Sequence, residues 1–170
     1  MFALAILALA ASIECKVEDA QYALRHNPAI TATFRPVDSG RDWPAKVALA
    51  VHFGDTNRTY WWLPWNGGTN DRQNVASTTD VTLPDWKPPS PDGGPRPLGD
   101  LEYIGTNAHY EVIDDIPRRG GIAPAHMLFP SLGDKTWHWN TALRDSAPKQ
   151  FFDLIGCAFH HAGAKVSEVR

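Results

Sequence analysis

The clearest pattern in the chain is an alternation of apolar and polar positions between residues 29 and 65. "AITATFR" places Ile30, Ala32 and Phe34 on one face of an extended run, as a period of two requires. "KVALAVHF", Lys46 to Phe53, continues it with Val47, Leu49, Val51 and Phe53 on one side and Ala48, Ala50 and His52 on the other. "GDTN", Gly54 to Asn57, has turn composition, so "RTYWWLPW" is predicted to return as the second arm of a hairpin.

Around this centre the pattern is less regular. "KVEDAQYALRHNP", Lys16 to Pro28, reads as a helix, with Glu18 and Asp19 at its positive end, Arg25 and His26 at its negative end and Asn27-Pro28 as its stop. "STTDVTL", "LEYIG", "NAHYEVID", "HMLFP" and "KTWHWN" read as strands, and "KQFFDLIGC" fits strand or helix. Pro97-Leu98-Gly99-Asp100 and Leu132-Gly133-Asp134 read as turns. Pro84 to Asp100 holds six Pro and three Gly, which bars it from a central ladder. It is expected to be an ordered surface excursion anchored by Trp86. The sum is a mainly β domain, with α+β as the alternative: an antiparallel sheet or sandwich with a short N-terminal helix and a long Pro-rich surface segment.

Composition narrows the class. A hydrophobic fraction of 43% and a charged fraction of 21% over 170 residues suit one globular domain with a real core. Net charge is -3 and the densest basic pair is Arg118-Arg119, so no basic stripe suggests nucleic acid as a partner. Met1 to Ser12 resembles the apolar region of an export signal, with Ala8-Leu9-Ala10 as a cleavage site, although no Lys or Arg precedes it. It is too short to span a bilayer. Residues 1–11 are therefore expected to be a leader, 12–159 the domain and 160–170 a flexible tail. Ile13 and Glu14 in front of Cys15 do not suit a lipid-anchoring signal.

An exported chain with two cysteines points to a Cys15–Cys157 disulfide and an extracytoplasmic, periplasmic or secreted, location. Closing a loop of about 140 residues stabilises by roughly 5 kcal/mol at most.

Candidate chemistry centres on Tyr60 to Asn74. Tyr60, Trp61, Trp62 and Trp65 fall within six residues, followed by a polar glycine loop. On a strand, Tyr60 and Trp62 point one way and Trp61 and Leu63 the other. Rings flanked by planar amides suit a carbohydrate-like ligand, so Tyr60, Trp62, Trp65, Asn66, Asn70 and Arg72 form the candidate binding set. The competing reading is core plus turn, with one of Trp61 and Trp62 buried and the other joining Trp65 in a second layer under the loop or the Pro-rich segment. Asp71 is that loop's only carboxylate, too few for calcium. No metal or cofactor is expected.

No nucleophile elbow or zinc-protease helix motif occurs. His109, Glu111, Asp114 and His126 are the acid–base candidates if they converge. Arg118-Arg119-Gly120-Gly121 could clasp a carboxylate or phosphate. Three functional readings follow: an exported binding or structural domain whose partner would be a saccharide, a small extracytoplasmic hydrolase, or a subunit of an envelope assembly with an envelope protein as partner.

Overall fold

The computed structural model describes residues 14–66 and 73–158. The expected leader and tail, and Asn70, Asp71 and Arg72, lie outside the described residues. Among the described residues nine antiparallel strands form one sheet: β1 (Ala20–Leu24), β2 (Asn27–Pro36), β3 (Val47–Phe53), β4 (Arg58–Trp65), β5 (Asn74–Thr78), β6 (Asp100–Glu102), β7 (Ile104–Thr106), β8 (His126–Leu128) and β9 (Phe152–Cys157). Helix α1 (Leu132–His138) lies between β8 and β9. The mainly β, antiparallel expectation holds.

The strand order is β6-β5-β4-β3-β2-β1-β9-β8-β7. The two edge strands, β6 and β7, are halves of a single run separated only by Tyr103. The sheet therefore curls until its edges nearly meet. Tyr103 is buried at that corner, its N–H donating to the Gln73 carbonyl at 2.9 Å. Gly105 is required beside it, because a Cβ there would collide with the Tyr103 ring.

Register explains which residues fill the inside. One row across the wall reads Tyr22, Ala32, Val51, Tyr60, all of them buried. The neighbouring row reads Gln21, Thr33, Ala50, Trp61, Thr78 and faces outward. Alternation alone generates both rows. Burying the inner set, at about 25 cal/mol per Å² of apolar surface, drives closure of the wall.

The outer row is covered at one end only. Trp43, Ala48, Leu63, Ala76 and Val81 form a second buried cluster on the outside, with Trp61, Trp65 and Trp86 partly buried against it. The Pro-rich segment straps this cluster down. Trp43 Nε1 donates to the Pro89 carbonyl at 2.9 Å, and Trp86 Nε1 donates to Thr78 Oγ1 at 3.1 Å. The Arg96 guanidinium sits 5.8 Å from the Trp43 ring and 5.3 Å from that of Trp65, close enough for cation–π attraction to both.

Several local expectations fail. Lys16 to Pro28 is not a helix: Val17–Asp19 makes one 3-10 turn, and the chain then extends as β1. Ala20, Tyr22 and Leu24 alternate into the core, and β1 pairs on both sides, with β2 and β9. "KTWHWN" is not a strand but belongs to α1, in which Leu132 and Thr136 turn the same side inward. The Leu132-Gly133-Asp134 turn opens that helix. "NAHYEVID" contributes only a Thr106–Val112 bridge, since Asn107 Oδ1 accepts the His109 and Glu111 N–H groups and closes a turn. "KQFFDLIGC" resolves as strand β9.

The disulfide is present, joining Cys15 to Cys157 with Cα atoms 5.6 Å apart. It staples the start of the described chain to the end of β9. Among the described residues no helix is long and apolar enough to cross a membrane.

Candidate functional site

The aromatic run splits between two environments. Tyr60 and Trp62, expected as ring platforms, are interior residues, 6% and 0% exposed. Period two along β4 sends them into the core, so neither presents a ring to a ligand. Trp65 is half-buried under Arg96, and Asn66 follows it at the strand end.

Trp61 is different. It lies where the Pro-rich strap stops covering the outer wall, and it borders a trough shared with Gln21, Thr33 and Arg35. The local reason is register. Trp61 opposes Ala50, Ala50 opposes Thr33, and Thr33 opposes Gln21. Glu18 and Asp19, from the 3-10 turn, form the far side.

Two further hollows adjoin it past Pro36, one beside the disulfide lined by Glu14, Lys16 and Arg119 and one lined by Asp38, Lys46 and Arg119. Arg35 and Arg119 make no side-chain hydrogen bond or ion pair among the described residues. The expected Arg118-Arg119 clasp is therefore divided. Arg118 is turned onto Asp115, Gly120 N–H donates to Glu18 Oε2 at 2.7 Å, and only Arg119 faces the adjoining hollows.

The acid–base candidates do not converge as a set. His109, Glu111 and Asp114 are exposed, and Glu111 Oε2 accepts from Asn107 Nδ2 at 2.6 Å. His126 has a carboxylate partner, but it is Asp153, with Nδ1 donating to Oδ1 at 2.7 Å. Asp153 also accepts Arg25 Nε at 2.9 Å and Nη2 at 2.7 Å. Burial alone would raise the Asp153 pKa, yet hydrogen bonds from Arg25 and His126 outweigh it and hold the group below its usual range.

Tyr110 closes this cluster. Its ring stacks on His126 at 4.3 Å and 1°, and its hydroxyl accepts from Arg25 Nη2 at 2.6 Å. The residue sits at φ 63°, in the left-handed region that a bulky side chain rarely adopts. A carboxylate-oriented imidazole is half of a hydrolytic pair. No serine, threonine or cysteine is hydrogen-bonded to His126 among the described residues, and both cysteines are tied up in the disulfide.

A second carboxylate went unread in the sequence. Asp145 accepts Thr56 Oγ1 at 2.6 Å, Arg58 Nε at 2.7 Å, Arg58 Nη2 at 2.8 Å and Tyr60 Oη at 2.5 Å. Trp139 Nε1 adds a hydrogen bond to Tyr60 Oη at 3.3 Å. Every acceptor site on this buried carboxylate is engaged, which makes it a pin between the β3–β4 hairpin and the segment carrying α1. Among the described residues no group of three or more His, Cys, Asp or Glu side chains is placed to hold a metal. Compared with known proteins, the chain matches no family model, no curated protein and no solved structure.

Proposed function

We propose that this protein is an extracytoplasmic binding module that takes a saccharide in the outer-wall trough beside Trp61. The observation that carries this reading is the composition of the trough: one half-buried indole next to an amide, a hydroxyl, a guanidinium and two carboxylates. A sugar offers an apolar face for the indole, and its hydroxyls need paired donors and acceptors, which Gln21, Thr33, Arg35 and Glu18 supply. The barrel wall underneath fixes the backbone positions that carry these groups, which lowers part of the ordering cost of binding. The disulfide supports the extracytoplasmic part of this reading, since such a bond persists in oxidising compartments.

The test is calorimetric titration of the full chain with a panel of soluble oligosaccharides, repeated with Trp61→Ala. Stacking loss should weaken binding at least tenfold in a variant that circular dichroism shows still folded at the titration temperature, a control required because Trp61 also packs against the second cluster. No heat with any saccharide, or undiminished binding by Trp61→Ala, would overturn the reading.

The His126–Asp153 pair supports a second, catalytic reading, a small hydrolase in which His126 acts as base. It requires turnover of an ester or glycoside substrate that His126→Ala abolishes.

A further inference from the structure

We infer that the trough selects acidic saccharides, with Arg35 binding the sugar carboxylate while Trp61 takes the ring. This rests on the saccharide reading of the same trough and names the class of sugar.

Arg35 and Trp61 belong to one face. Arg35 opposes Ala48 and Trp61 opposes Ala50, and these alanines are two apart on β3, so all four point outward. One strand and a two-residue offset separate the two long side chains, which puts their backbones roughly 12 Å apart. The residues between them on β3, Ala48 and Ala50, are small and buried, and both Trp61 and Arg35 line the same trough. Arg35 is exposed and has no side-chain partner among the described residues. Its planar fork matches a carboxylate through two parallel N–H bonds, a geometry neutral hydroxyls do not reproduce.

The opposite wall sets the orientation. Glu18 and Asp19 disfavour a carboxylate on their side, and Glu18, which takes the Gly120 N–H on one oxygen, keeps the other for a sugar hydroxyl. A uronate ring is therefore driven to place its acid group at Arg35 and its hydroxyls at the acidic wall. Beyond Pro36, Lys16 and Arg119 line the adjoining hollow together with Glu14, so the selection for an acid group rests on Arg35.

The probe is an oligogalacturonide, paired with the same oligomer whose carboxyl groups have been reduced to alcohols. With the full chain, the acidic oligomer should bind at least tenfold tighter than its reduced counterpart. The preference should shrink as salt is raised from 50 to 500 mM, and it should disappear in Arg35→Gln. Trp61→Ala should weaken both oligomers together. Equal affinity for the two, or a preference that survives Arg35→Gln, overturns the inference and leaves the saccharide reading standing. Binding of neither oligomer, nor of any other saccharide, removes both. Arg35 is exposed, so an unchanged unfolding temperature in Arg35→Gln excludes misfolding as the cause.

Discussion

Asp145 and Asp153 hold an arginine in almost the same way. Asp145 takes Arg58 at 2.7 and 2.8 Å, and Asp153 takes Arg25 at 2.9 and 2.7 Å. Both carboxyls are held below the ordinary range, because hydrogen bonds from their arginines and other donors outweigh the opposing effect of burial. Their surroundings differ. The Asp145 side chain is 1% exposed and that of Asp153 is 31% exposed. Ion-pair geometry therefore says little about structural weight. What decides it is whether water can replace the partner once the pair is broken.

The largest effect should come from Asp145→Ala. It strands the buried Tyr60 hydroxyl and unpairs the partly exposed Thr56 and Arg58, and urea unfolding should show a loss of about 2–3 kcal/mol. A loss below about 1 kcal/mol would erase the contrast between the two sites.

Acid comes next. A carboxyl with a depressed folded pKa stabilises above its unfolded value, near 4, and that contribution drains away as pH falls through the folded value. Midpoints of urea unfolding should hold from pH 7 to 5 and drop at pH 3. Asp145→Asn, less stable at neutrality, should flatten the acid limb more than Asp153→Asn does. Equal flattening would mean that exposure does not separate the sites.

The smallest effect is expected at Asp153 itself. Asp153→Asn should lower stability by about 1 kcal/mol or less, as for other partly exposed pairs. Its signature should instead be faster amide exchange in residues 107–111, since Arg25 and His126 hold Tyr110 and both depend on Asp153 for their orientation. Unchanged exchange there would show that Tyr110 is held without this carboxylate.

The same contrast marks what could be read in the sequence. Strands β2, β3 and β4 were legible because their side chains alternate between two surfaces that differ strongly in burial. The division of Trp61 and Trp62 between outer and inner layers follows from that period alone. Lys16 to Pro28 misled because charges at its ends imitate helix caps, while the signal that mattered, Ala20-Tyr22-Leu24, covers only three inward positions. Trp137 and Trp139 alternate like strand residues, yet α1 has only seven residues, too few for a helical period to show. The carboxylate partners were invisible for another reason. Arg58 and Asp145 are 87 residues apart and Arg25 and Asp153 are 128 apart, so topology alone brings them together. The trough was hidden likewise, since Gln21, Thr33 and Trp61 share a surface only once register is set.

The bond between Cys15 and Cys157 also bears on where this chain needs to be cut. Strand β1 lies between β9 and β2, paired with each, so the order of elements around the wall runs on from last to first. A break at an exposed turn then leaves every strand pairing intact. A permuted gene that links Ala158 to Glu14 through a few glycines and opens at the exposed Gly54–Asn57 turn would encode the same barrel. Its new ends would emerge far from the disulfide in sequence, and the trough would be left with an uninterrupted rim.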